Sequence, residues 1–484
     1  MRAWTLLTHD PTQVLQALDE GRLAGVCTAG EEETDQFLLF AQRSGLLATL
    51  GQSFPDPRRQ CEVPAEAVLL ACVAAAFQQE YALCQAPLAL HSARLLLEYG
   101  LNAAVLAPGS GFSRRGTQGR GPFHGDVIRK LLDQLEQQER TSGDPLGSRL
   151  QRWYNDHVGP AFVHAAKAEP MLHLLDSTKL LVNRENDRYE GSTVLPAEKG
   201  QEAQRGYKLL TLRSLLDEGA VITEMAFGSL TEADLTLAQP LLQDSLHLQP
   251  GDLLIEDRGF LCGKTLSWLK EERQVEVVTG LNADMLAYRL AVARAVSRPK
   301  RWEPHPTRPK QQIQAVGDVA EVWESCTVSL QTVVVRERDR GEPDGYRYWV
   351  FVSTRQSLSA RELIKTYQLR PEIEEDYRQL KSPQWLMDEF TSTAWEQILF
   401  HVLIVLIAYN LFHVFTRTAG GREFAGKTRR QLRREARRSE VTYLIGYTAR
   451  HFAVFETKRI VARMLRLPPD QRERLAKLLE EQKE

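Results

Sequence analysis

The sequence predicts an α/β protein whose core of alternating strands and helices lies between two helix-rich regions. From Met171 to Gly280, short apolar runs of strand length alternate with stretches of helical period. On either side, residues 1–168 and the chain after Ser359 carry helical spacing with helix-start and helix-stop residues. Between residues 280 and 353, basic, Pro-rich and β-branched stretches interrupt the core and predict a β-rich insertion.

In the first region, Pro64 and Pro87 each open a helix, where a missing N–H costs nothing, and Gly100 closes the second. A Gly/Arg-rich loop with Arg114, Arg115 and Arg120 follows, then helices over 126–139 and 150–168. Strands are expected at 173–178, 207–212, 221–226, 253–257 and 275–279. A helix over 232–239 should start at Thr231 as N-cap and end or kink at Pro240, and another should cover 264–271. Within the insertion, 297–310 reads as a mobile basic loop, 319–326 and 330–336 as a hairpin, and 346–352 as a further strand. The chain is then helical to about Thr416, with a charged segment from Gly420 onward.

Composition narrows the class. The 484 residues carry a formal net charge of -2, so any nucleic-acid binding must rest on local charge. Six scattered cysteines without a CxxC pair read as reduced thiols and speak against a zinc site. Met1-Arg2-Ala3-Trp4 does not open a signal peptide. The apolar run 398–408 is too short to span a bilayer and reads as a buried helix, so no membrane partner is expected. Lys427 to Arg438 is the densest positive stretch; it suits phosphate contacts or a solvated linker.

Three acids stand out. Asp176 and Asp257 each end an apolar strand, where an ionised carboxylate is costly unless it binds something. One such Asp is commonly a turn or cap residue. The third acid, Glu374, lies in a stretch where Tyr367, Arg370, Glu374 and Lys381 follow at i, i+3, i+7 and i+14, near whole helical turns. Pro371 starts a fresh helix inside that stretch on one reading. A solvated face with ion pairs would carry such residues; so would a face that meets a phosphodiester, with Glu374 for a metal, Arg370 and Lys381 for phosphate and Tyr367 for a hydrogen bond.

The spacing Y-x2-R-x3-E-x6-K resembles the signature of the DDE transposases of bacterial insertion sequences. Asp176-Ser177-Thr178 is similar to the family's first catalytic strand, Asp257-Arg258-Gly259-Phe260 to its second block, and Gly206-Tyr207-Lys208 to the G-x-K between them. The similarity runs from about residue 170 to 415. It implies a ribonuclease-H-like core with a β-rich insertion between the second Asp and the Glu. The expected organisation is a helical N-terminal region over 1–168 as a candidate for DNA-end binding, and the first part of the core over 169–279. The insertion covers 280–353, the second part with the signature helix 354–418, and a basic helical C-terminal region 419–484.

The resemblance further implies metal-dependent strand cleavage and strand transfer in cut-and-paste transposition. Asp176, Asp257 and Glu374 would hold two Mg²⁺ ions, with Mn²⁺ able to substitute. Tyr367, Arg370, Lys381, Trp349 and Lys208 would contact DNA. The partners would be double-stranded DNA at the element's terminal inverted repeats and at the target. The expected enzyme is a homodimer on DNA in the bacterial cytoplasm, associated with the nucleoid. Hairpin-forming relatives carry a Trp where Trp349 begins its strand, stacked on a flipped base; packing within the insertion sheet beside Phe351 is the competing role. A domesticated metal nuclease and a non-catalytic DNA-binding relative are the alternatives. Three intact acids disfavour the latter.

Overall fold

The apolar runs of the central region pair into one ten-stranded sheet in this computed structural model. Its strands are β1 (Leu172–Val182), β2 (Thr193–Leu195), β3 (Gln204–Leu216), β4 (Gly219–Ser229) and β5 (Leu253–Glu256). They continue with β6 (Glu276–Gly280), β7 (Glu303–Pro304), β8 (Gln311–Ala315), β9 (Gln331–Arg338) and β10 (Tyr346–Ser353). Among the helices that accompany them are α1 (Asp234–Asp244), α2 (Gly263–Glu271), α3 (Leu286–Val296), α4 (Ala360–Tyr367) and α5 (Pro371–Leu380). The structure describes residues 8–30, 37, 40, 45–59, 63–90, 123–166, 169, 171–197, 202–217, 219–417 and 442–480. These fall into two compact units, Leu150–Ser382 and Met1–Arg149 with Pro383–Glu484.

In the first unit the spatial order is β2-β3-β1-β5-β6-β10-β9-β8-β7, with β4 also paired to β3. Strand β1 runs antiparallel to β3 along its whole length but parallel to β5 only from Leu172 to Leu175. Asp176 is therefore in the middle of a strand, not at its end, and marks the point where the parallel neighbour stops. All of β5 is buried, as suits a central strand covered on both faces. Leu237, Ala238, Leu241, Leu266 and Leu269 of α1 and α2 pack with Leu175, Leu254 and Val277. Farther along, Ala287, Ala291 and Ala295 of α3 pack on Val334, Val350 and Val352. At Gly206 a Cβ would overlap the Leu180 carbonyl, so the glycine is what lets β3 lie close to β1.

Several local expectations change. Helix α1 begins at Asp234 with Ala233 as N-cap and continues past Pro240 to Asp244. Leu241 and Leu242 beyond the proline are buried. At roughly 1.5–3 kcal/mol each, they offset the roughly 3 kcal/mol that an interior proline costs. The stretch 319–326 is no strand, because Asp318 Oδ1 accepts from Ala320 N (2.8 Å) and Leu330 N (3.1 Å) and closes it into a loop. Strand β9 pairs instead with β8 and β10. The basic stretch expected to be mobile contains β7 and a turn in which His305 Nδ1 accepts from Thr307 N (3.2 Å) and Arg308 N (3.0 Å).

The second unit corrects the fold class at both ends. The N-terminal region is not all-α: strands Thr8–His9 and Gly25–Gly30 join the hairpin Thr442–Tyr447 and His451–Glu456 in a four-stranded sheet. The C-terminal region is accordingly not wholly helical. The reason is shared burial, since Val14, Ala17 and Leu18 on one helix face are buried in a cluster with Leu444, Ala453 and Ile460. Helix Trp395–Phe415, which contains the strongly apolar run, is buried on nearly every side against Ala65–Phe77 and Asp126–Ser142. A 3₁₀ turn, Ala86–Leu90, stands where the Pro87 helix was expected to start. The remainder of that helix, the Arg114–Arg120 loop and the Lys427–Arg438 segment lie outside the described residues.

Two acids meet inside this helical unit. Glu139 accepts from Gly147 N (2.6 Å) and Arg149 N (2.8 Å), and the buried Glu396 stands beside it. Burial and the adjacent Glu139 carboxylate push the Glu396 carboxyl far above its ordinary range, so it keeps its proton. A carboxyl with a raised folded pKa favours the folded state below its unfolded pKa and loses that contribution as pH climbs toward the folded value. Glu396→Gln needs no proton. Its stability advantage over the wild type should grow between pH 5 and pH 8, by up to about 1.4 kcal/mol per pH unit. Thermal unfolding of both proteins across that range checks this, and a pH-independent difference would contradict it.

Candidate active site

Asp176, Asp257 and Glu374 come from three separate segments: the middle of β1, the residue after β5, and the first turn of α5. Helix α4 ends at Tyr367 and α5 begins at Pro371, so Tyr367 and Arg370 flank a break instead of riding on one continuous helix. A Ser359–Glu362 capping box fixes the start of α4.

The break turns Arg370 inward. Its Nη1 stands 3.2 Å from Asp176 Oδ2, its Nε 3.7 Å from Asp257 Oδ1, and its Nη2 donates to Glu374 Oε1. Tyr367 directs its hydroxyl at Asp257 Oδ1, 3.5 Å away, and its ring packs on Phe351 with centroids 4.5 Å apart. Side-chain exposure rises from 13% at Asp176 through 33% at Asp257 to 53% at Glu374, so the cluster opens to solvent on the Glu374 side. Burial pushes the Asp176 carboxyl up to about 6; the Ser177 N–H and Arg370 pull it down, while Asp257 and Glu374 raise it.

Helix α5 is fastened to the sheet by residues that the sequence reading did not single out. The buried Tyr377 hydroxyl donates to the Asp176 carbonyl (2.6 Å) and pairs with Thr211 Oγ1 (2.7 Å), the residue opposite Asp176 on β3. Arg213 reaches Asp376 (2.5 Å) and Glu372 (2.8 Å). Lys381 Nζ donates to Thr178 Oγ1 (2.5 Å). Tyr377 was within reach of sequence reasoning, because it lies one helical turn after Glu374 and one before Lys381.

The other expected DNA contacts are placed differently from one another. Lys208 is mostly buried, 3.1 Å from Asp234 Oδ1, and donates to the Glu232 carbonyl. Ser177 Oγ donates to the same Asp234 oxygen (2.7 Å), which ties Lys208 to the strand of Asp176. Trp349 lies in the middle of β10, not at its start, half-buried on the face that carries Phe351, and the guanidinium of Arg347 lies 5.3 Å from its ring. It is absent from the apolar cluster under α3, which takes Val350 and Val352 from the opposite face.

The donor set suits a hard divalent cation, for it consists of carboxylate oxygens only. Arg370 already serves as a built-in cation among them. With the guanidinium there, no three His, Cys, Asp or Glu side chains among the described residues stand close enough to share one ion.

A transposase DDE domain model matches residues 169–411, just over half of the chain, and the chain belongs to that family. Among solved structures it is similar to a piggyBac transposase in a synaptic complex with hairpin DNA. That likeness has 10% identity and a TM-score of 0.45, over 93% of this chain and 85% of that one, and is too slight to bear on mechanism. No curated protein matches.

The Tyr377 bonds make a direct test of how α5 is held. Tyr377→Phe keeps the ring but leaves Thr211 and the Asp176 carbonyl each short of a partner. It should lower stability by about 1–3 kcal/mol in denaturant unfolding. An unchanged midpoint would show that these bonds do not hold the helix.

Proposed function

We propose that this chain cuts and joins DNA strands for cut-and-paste movement of a bacterial insertion sequence, with Asp176, Asp257 and Glu374 as its catalytic acids. One observation carries the reading: acids from three distant segments gather on a single guanidinium within the span that matches the transposase domain. Two Mg²⁺ ions, or Mn²⁺ in their place, would there supply an activated attacking oxygen and a stabilised leaving oxygen for in-line displacement. The protein's own work is to hold the acids in register and to present cations to the phosphate. Asp176 is fixed through its main chain by Tyr377, and Glu374 through the fastened helix. Lys381, anchored at Thr178, and Arg370, beside Glu374, are the cations offered to the phosphodiester. Lys208 acts through Asp234 and Ser177 in this arrangement.

The substrates are the element's inverted-repeat ends and then a target duplex. The working form is a homodimer on DNA in the cytoplasm at the nucleoid. Replacing Asp176, Asp257 or Glu374 with Ala should abolish nicking of end-bearing duplexes while leaving duplex affinity within a few-fold, since affinity rests on phosphate contacts. Gel assays of cleavage beside fluorescence anisotropy measure both. Wild-type cleavage that persists in excess chelator is incompatible with the proposal.

Trp349 is proposed as the platform for a base unstacked beside the cut. Its support is its place outside the α3 cluster, on the face that leads through Phe351 to Tyr367 and Asp257. Stacking offsets about 1–3 kcal/mol per base. Trp349→Ala should thus leave the first nick intact and slow hairpin formation roughly tenfold or more, with Trp349→Phe milder. Equal loss of both steps together with a lower melting temperature would assign the Trp to packing.

A further inference from the structure

Arg370 is engaged with all three acids at once. Its three guanidinium nitrogens each face a different acid: Nη1 faces Asp176, Nε faces Asp257 and Nη2 faces Glu374. The acids in turn surround a guanidinium, and no trio of such side chains among the described residues can share an ion. The nearby lysines are held elsewhere, Lys381 on Thr178 and Lys208 on Asp234 and the Glu232 carbonyl. Three carboxylates against one guanidinium leave a net negative charge, which draws divalent cations but is met only in part by the protein itself.

We propose that Arg370 is a counter-ion exchanged between the acids and DNA. In the free protein it holds the three carboxylates together; divalent cations take over their charge and release it, and the freed guanidinium then grips a phosphate. Metal binding and DNA binding are thereby coupled through one side chain. The inference rests on the metal-and-DNA reading above and adds the order of events and the residue that enforces it. By linkage, whatever factor the metal adds to duplex affinity, the duplex adds to metal affinity. A guanidinium suits the exchange, since its fork of N–H donors fits carboxylate and phosphate alike.

The test is Mn²⁺ binding by the full chain, followed by the electron paramagnetic resonance of free Mn²⁺, with and without a short random-sequence duplex. No turnover is read. In the wild type the duplex should tighten Mn²⁺ binding fivefold or more, on the order of ordinary coupling between sites. Arg370→Gln, with its fold checked by thermal melting, should bind Mn²⁺ more tightly than wild type without DNA. Loss of any nearby cation favours that, so the deciding result is the duplex effect, which should shrink toward onefold. Arg370→Lys keeps the charge on one ammonium that cannot face three acids at once, and it should give an intermediate duplex effect. It also serves if the Gln variant does not fold. A duplex effect as large in the variants as in the wild type overturns the inference. A wild type that binds no Mn²⁺ with or without duplex overturns the metal reading itself, and the inference falls with it.

Discussion

A single buried hydroxyl sets the geometry on which the site depends. Tyr377 donates to the main-chain carbonyl of Asp176 and pairs with Thr211, and so bridges β1 and β3 at the level of the first acid. Because the contact is to the backbone, it fixes the position of Asp176 without using its carboxylate. Glu374 lies one turn earlier on the same helix, so the bond that places the helix also places the third acid. Arg213 and Lys381 brace the helix on either side, through Asp376 and Glu372 and through Thr178. The register of β1 against β3 is thus transmitted to a helix just over two hundred residues away in sequence.

Gathering acids has an electrostatic cost that this frame must bear. Two like charges 4 Å apart near a protein surface repel by about 4 kcal/mol, enough to spread the side chains unless a cation intervenes. Arg370 intervenes, and burial of Asp176 turns part of the remaining cost into a raised pKa. Solvent at Glu374 relieves the rest. The gradient from buried Asp176 to exposed Glu374 gives the cluster a closed floor and an open rim.

Much of this was legible in the sequence because it is written in local patterns. The runs at 173–178, 253–257 and 275–279 are short apolar stretches of strand length, and all three are strands of the central sheet. The signature spacing places Tyr367, Arg370, Glu374 and Lys381 against one edge of β1 and β5. What was not legible depends on pairing between distant segments. Nothing near Asp176 announces that β1 continues to Val182, because that length is set by β3. Likewise, Gly25–Gly30 lies in a region of helical reading until Thr442–Tyr447 pairs with it, and Val319–Cys326 looks like a strand until Asp318 folds it over. The spacing of the signature put Arg370 beside Glu374, but only the fold brings it to all three acids.

The break at Pro371 has an electrical consequence. Had α4 and α5 formed one helix, Glu374 would sit mid-helix, where the peptide dipoles on either side largely cancel. By restarting the helix, the proline places Glu372 and Glu374 in a first turn, at the positive end of the α5 peptide dipoles. The backbone itself then shares in stabilising the acid that is most open to water. The same partial charge would remain in place as Arg370 changes partners, a fixed positive field under a site whose mobile charges come and go.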